Sequence, residues 1–230
     1  MKLLAFETAT EACSVALSID GDVRERFELA PRRHAELALP WAQALLSEAG
    51  LAKSQLDAIA VGRGPGAFTG VRLAIAIAQG IALALDRPVV PVSTLAVLAM
   101  RASGDRILAA IDARMGEIYL GAFQRLDDGM LSAIGEEAVA KPDSAVVPEG
   151  SWEGIGTGFA AVDKALSARL QGRLSSVDAQ ALPHAADVAR IAARAYARGE
   201  AVAPERAEPA YLRNEVALTL QQQQALRAAR

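Results

Sequence analysis

At 230 residues, with 52% apolar and 22% charged side chains, the chain carries enough hydrophobic mass for one large domain or two compact lobes. Its net charge of −3 excludes the strong positive field a protein needs to grip nucleic acid by electrostatics alone. The single cysteine, Cys13, excludes an internal disulfide. The longest apolar run, Leu73 to Leu85, is broken by Gln79-Gly80 and reads as too short to span a bilayer. With no leader-like segment in view, the expectation is a cytoplasmic protein without a membrane span.

The first ninety or so residues read β-β-β-α-β-α. Lys2 to Phe6 is an apolar strand, Ala12 to Ser18 a second, and Asp20-Gly21 turns the chain into the alternating run Val23 to Leu29. A helix spans about Arg33 to Ala49, closed by Gly50, with Pro40 removing the N–H that would bond the Glu36 carbonyl. Leu56 to Val61 is a short buried strand. A glycine loop and an apolar helix to Leu85 follow, then Pro88 and a strand, Val89 to Val92.

The pattern then restarts. Arg106 to Asp112, Glu117 to Gln124 and Met130 to Glu136 read as strands, followed by a helix near Phe159 to Leu170, a strand at Leu174 to Val177 and a helix from about Ala185 to Arg198. This doubling predicts two lobes of one βββαβα design, divided as residues 1–103 and 104–203, with a linker and a glutamine-rich C-terminal helix over 204–230.

The loop Gly62-Arg-Gly-Pro-Gly-Ala-Phe-Thr-Gly-Val-Arg72 supports two readings. No Gly-Lys-Ser/Thr follows, so it is not a Walker loop, and Gly62-x-Gly64-x-x-Ala67 lacks the strand order and acidic residue of a dinucleotide fingerprint. It is either a tight strand-to-helix turn with Thr69 as N-cap, or an anion site using the free N–H groups of the helix start. The first strand-turn-strand offers Glu7-Thr-Ala-Thr10. In two-lobed ATPases a turn there holds phosphate, so Glu7, Thr8, Thr10, Gly64 and Gly66 form a candidate vestigial phosphate turn. The alternative is that the threonines only satisfy turn backbone groups.

Residues for self-sufficient catalysis do not gather in the sequence. His34 and His184 are far apart, His34 has Ala38 rather than a second histidine one turn on, and no Gly-x-Ser-x-Gly elbow occurs. Asp112 with Arg114 reads as a local turn contact and Ser14 as a strand residue that points out or caps. Neither metal nor cofactor is expected on this chain alone.

The apolar helix is uncharged on nearly every side. On a helical wheel Leu73, Ile77, Ile81 and Ala84 form the face for a sheet, leaving Arg72, Ile75, Ala76, Gln79 and Leu83 opposite. The proline-containing helix adds Leu37, Trp41, Ala44 and Leu45. These nine residues are the candidate partner interface; the alternative is that other parts of the chain cover both stripes.

Leu4 to Leu17, Gly64-Pro-Gly-Ala-Phe-Thr-Gly-Val-Arg72, Asp112-Ala-Arg-Met-Gly-Glu-Ile-Tyr119 and Pro209-Ala-Tyr-Leu-Arg213 occur in the order found in the TsaB family, also called YeaZ, and the chain resembles it from its N-terminus to Arg213. The resemblance implies an α/β, two-lobed actin-like fold, each lobe a mixed sheet with flanking helices. It implies a non-catalytic, activating subunit in the formation of N6-threonylcarbamoyladenosine beside the anticodon of tRNAs reading codons that begin with A. The implied partners are a TsaD-like transferase, which carries a His-x-x-x-His metal pair, and a TsaE-like ATPase. It further implies a homodimer when alone, tRNA met through the complex, and ATP used by the complex. The family has Asp at the position of Glu7, which counts against metal–nucleotide binding at that turn. The alternative reading is a stand-alone actin-like ATPase or small-molecule kinase; a metallopeptidase is a third.

Overall fold

In a computed structural model, which describes residues 1–213, the doubled pattern is realised as two mixed sheets with flanking helices. The expected C-terminal helix over 214–230 lies outside the described residues. The first sheet comprises β1 (Lys2–Glu7), β2 (Ala12–Ile19), β3 (Asp22–Leu29), β4 (Ala58–Gly62) and β5 (Val89–Val92), in the order β3-β2-β1-β4-β5. Between them run α1 (His34–Glu48) and α2 (Phe68–Leu85). The first three strands pair antiparallel, β1 with β2 across the turn after Glu7 and β2 with β3 across Asp20-Gly21, and β4 and β5 join in parallel.

The second sheet repeats this plan with β6 (Arg106–Arg114), β7 (Glu117–Arg125), β8 (Leu131–Ala133), β10 (Trp152–Ile155) and β11 (Leu174–Asp178), ordered β11-β10-β6-β7-β8. A short β9 (Ala138–Ala140) pairs with β7 in addition. Helices α3 (Thr94–Ala99), α4 (Ala161–Arg169) and α5 (Ala185–Ala197) complete the described elements.

Strand β1 is buried on both faces, which is why it reads as a continuous apolar run. Leu4 and Phe6 face α1 and α2, and Leu3 and Ala5 face α5. The α5 side is built largely of alanine (Ala5, Ala16, Ala58, Ala60, Ala185, Ala189, Ala192), which lets that helix sit close to the sheet. Here the structure corrects the sequence division. Helix α5 falls in the segment assigned to the second lobe but packs on the first sheet, and α3, assigned to the first, packs on β6 and β7. The physical reason is capping across the chain. Ser14 Oγ accepts the Ala185 N–H at 2.9 Å and Glu25 accepts the Ala186 N–H at 2.9 Å, so β2 and β3 supply the α5 start with partners. The His184 carbonyl accepts the Asp187 and Val188 N–H groups at 3.1 and 3.2 Å, but its side chain makes no cap bond; instead Nδ1 lies 2.9 Å from Glu25 and the ring stacks on Phe27.

Candidate functional site

The β1–β2 turn and the glycine loop are packed against each other. Glu7 is buried, its Oε1 accepting the Ala9 N–H at 2.8 Å and its Oε2 the Thr94 hydroxyl at 3.0 Å, while Thr94 Oγ1 accepts the Gly64 N–H at 3.1 Å. Thr8 donates to the Gly70 carbonyl at 2.7 Å, and the Thr10 hydroxyl accepts the Ala12 N–H at 3.4 Å. The glycines are required by close approach. A Cβ on Gly62 would overlap the Glu7 carboxylate, one on Gly66 the Ala9 carbonyl, and one on Gly70 the Thr8 carbonyl. Gly64 is further held at φ +88.

The candidate phosphate turn is therefore a closed knot in which Glu7, Thr8 and Gly64 serve the fold, and only Thr10 and Gly66 reach open space. Burial pushes the Glu7 carboxyl up to about 7, against the opposing effect of its Ala9 and Thr94 hydrogen bonds. The expected N-cap is also corrected. The helix starts at Phe68 with Ala67 as N-cap and no side-chain bond, and Thr69 is exposed.

Beside this knot lies a cleft of about 870 Å³. Its charged lining, Arg32, Arg72, Arg114 and Arg213 against Glu11 and Asp112, is predominantly basic in a chain of net charge −3, and His34 stands beside it. His34 Nε2 stands 3.0 Å from the Thr10 carbonyl, which accepts only, so that nitrogen carries the proton. His34 is thus half-buried at the cleft rather than fully solvated. Asp112 accepts from Arg114 through the backbone at 2.8 Å and the guanidinium at 2.9 Å, the local turn contact expected from the sequence. Residues 209–213 also line the cleft; Tyr211 and Arg213 were legible there only as part of a family motif. Among the described residues no three His, Cys, Asp or Glu side chains gather into a group able to hold a metal ion.

On α2 the wheel is rotated from the sequence expectation. The residues inside are Gly70, Val71, Ala74, Ile75, Ala78 and Ala82, while Leu73, Ile77 and Ile81 are half-buried flanks and Ala84 is exposed. Wheel averaging puts the largest side chains inside. Here the small row Gly70-Ala74-Ala78-Ala82 lets the helix lie close to the sheet, its phase fixed by the contact of Gly70 with Thr8.

Two candidate interface residues are consequently corrected: Ile75 (5% exposed) and Leu45 (2%) belong to the protomer's own core. Gln79 is half-buried and donates to the Pro204 and Ala207 carbonyls at 3.0 and 3.1 Å. Arg72, Ala76 and Leu83 stay outside and, with Phe68, Gly80 and Ala84, make an exposed ridge; Leu37, Trp41 and Ala44 are half-buried beside it on α1. At 18 residues α2 is long and apolar enough, by length and composition, to cross a membrane, contrary to the shorter run read from sequence. In the fold one face of it lies inside the first core.

Comparisons with known proteins fall on this same architecture. The family model for TsaD, tRNA N6-adenosine threonylcarbamoyltransferase, matches residues 28–223. The tRNA threonylcarbamoyladenosine biosynthesis protein TsaB of Escherichia coli is 46% identical over 228 residues, covering 94% of this chain and 96% of that protein. Its Haemophilus influenzae counterpart is 38% identical over 231 residues, covering 94% and 95%. Among solved structures, YeaZ from Pseudomonas aeruginosa superimposes with a TM-score of 0.83 at 48% identity, covering 92% of this chain and 99% of that one. A second P. aeruginosa structure, described as similar to peptidase YEAZ, gives 0.85 at 49% identity with the same coverage.

Proposed function

Because the chain belongs to the TsaB family of tRNA threonylcarbamoyladenosine biosynthesis proteins, we propose that it acts in the cytoplasm as the non-catalytic, activating subunit of a threonylcarbamoyl-transfer complex. In this reading it pairs with a TsaD-like transferase through α1 and α2, is joined by a TsaE-like ATPase that supplies the ATP dependence, and meets tRNA within the assembly. Alone, it pairs with a second copy through the same helices.

The observation that carries the reading is the exposed ridge of α2. Phe68, Ala76, Gly80, Leu83 and Ala84 follow one another along one side of an eighteen-residue helix, with Arg72 its sole charge; Phe68 is 57% and Leu83 62% exposed. A helix surface with so few charges is ordinarily covered. The closed knot at Glu7 supports the accessory role over a stand-alone ATPase, since both carboxylate oxygens are engaged within the fold. His34 supports it too: its Nε2 is occupied by Thr10, and Ala38, one turn on, is fully buried.

The test is reconstitution. tRNA modification by the transferase and ATPase is measured with and without this chain, alongside co-elution of the chain with the transferase on size exclusion. Modification that needs the chain, together with co-elution, is the expected result. Full modification in its absence, or micromolar ATP binding by the isolated chain, rejects the reading.

A further inference from the structure

Two side chains of α2 reach for the same stretch of backbone. Gln79 Nε2 donates to the carbonyls of Pro204 and Ala207, and Arg72 Nε and Nη2 donate to the Tyr211 hydroxyl at 2.9 and 2.7 Å. Between them the Ala210 N–H bonds the Arg63 carbonyl at 2.8 Å, beside the glycine loop. Upstream, Val202 bridges Val89 of β5. Downstream, Arg213 crosses to the second sheet, where its guanidinium donates to Glu117 at 2.5 Å and to the Ala113 carbonyl at 3.1 Å. The segment read from sequence as a linker is thus fastened at both ends and in the middle, it passes from one sheet to the other, and its residues 209–213 line the cleft.

Arg72 also belongs to the exposed ridge of α2. Its guanidinium lies 3.5 Å from the centre of the Phe68 ring, its Nε and Nη2 are held by the Tyr211 hydroxyl, and Nη1 has no partner among the described residues. A long cationic side chain that is already ordered loses less rotamer freedom on docking than one free in solvent. Arginine so prepared, flanked by aromatic rings, is the composition of an interface anchor.

We propose that residues 204–213 form a strap that is part of the partner surface. The strap presents the Arg72 guanidinium to a carboxylate of the docking protein, and its anchor on the second lobe sets how firmly α2 can be gripped. The fitting partner is an apolar helix that crosses α2 at Ala76 and Gly80, where small residues permit close approach, and carries an acid at the Arg72 end. The proposal rests on the accessory-subunit reading for the identity of that partner, the TsaD-like transferase.

Arg213→Ala and Glu117→Gln cut the second-lobe anchor without altering any residue of α2. Two measurements on the full chain are compared: hydrogen exchange over 204–213, and affinity for the purified transferase. Faster exchange at the Ala210 amide with affinity lower by about tenfold in both variants, partly restored by Arg213→Lys, is the expected result. Faster exchange with unchanged affinity overturns the coupling, and unchanged exchange overturns the strap itself. Wild-type chain that fails to bind the transferase at all defeats the accessory reading and the coupling together, a failure distinguishable from the others because the exchange data still report on the strap.

Discussion

The glycine loop and the helix that follows it are neighbours in sequence and opposites in structure. The loop has the composition of an open ligand cradle, yet it is shut: Gly62, Gly66 and Gly70 are where the backbone presses on Glu7, Ala9 and Thr8. The helix has the composition of a core element, yet one side of it is open, with Arg72, Ala76, Gly80 and Leu83 exposed. Glycine in the first case answers to a neighbour inside the protomer. The ridge in the second, with Arg72 its one charge, stays exposed among the described residues, and in the proposed function a partner chain covers it. Composition alone registers that a surface is to be covered, and the fold decides by what.

The comparison predicts effects of different kinds on its two sides. Leu83→Asp on the ridge leaves folding unchanged, because the side chain is 62% exposed. A carboxylate desolvated in the partner contact costs about 4 kcal/mol, roughly a thousandfold in affinity. Co-elution with the transferase and a thermal melt of the lone chain separate the two effects; retained co-elution removes the ridge from the interface. Gly70→Ala, one turn into the same helix, does the reverse. Its Cβ would overlap the Thr8 carbonyl, which is backbone and cannot swing away, so a loss of about 3 kcal/mol in urea unfolding is expected. A wild-type midpoint would mean that the knot is loose.

Glu7 gives the closed side a pH signature. Its folded carboxyl titrates near 7 against an ordinary value of 4.5, so between these the folded chain holds a proton that the unfolded chain releases. Stability is therefore full below about pH 4.5 and declines as pH rises through 7, by on the order of 3 kcal/mol from this group. Glu7→Gln keeps an acceptor for the Ala9 N–H and abolishes that decline. Urea titrations at pH 5 and pH 8 on both proteins check it; equal slopes in the two would place the pH dependence elsewhere.

Much of this architecture is legible in the sequence. The alternation from Val23 to Leu29, the Asp20-Gly21 turn and the apolar run Val89 to Val92 fix strands by local chemistry, and each forms close to where it was read. What was missed depends on partners distant in sequence. Strand β10, Trp-Glu-Gly-Ile, has a glycine at its centre and owes its strand character to parallel pairing with β6 and β11. Six-residue α3 has only a Ser93 cap as a local signal and is fixed by packing on β6 and β7. The place of α5 is set by Ser14 and Glu25, more than 150 residues upstream. The phase of α2 departs from the wheel because the row that sets the packing distance is glycine and alanine, and turning that row inward carries Ile75 inside with it. At the cleft, Arg32 has no flanking pattern to mark it, and Tyr211 acquires its role only when Arg72 reaches it from 139 positions away.

Gly80→Ala brings the smallest change and divides the two regions most finely. Nothing stands within 4 Å of a Cβ at this position, whose residue is exposed in a helix interior. Alanine there restricts the unfolded chain and favours the helix, so the lone protomer gains about 1 kcal/mol, opposite in sign to the same glycine-to-alanine exchange at Gly70. If a partner helix crosses close to Ala76 and Gly80, the added methyl group intrudes on the contact and affinity for the transferase falls while stability rises. A chemical denaturation curve and a binding titration on one preparation decide it. Higher stability with undiminished binding would move the crossing point away from Gly80, toward Leu83 or onto α1 at Leu37 and Trp41.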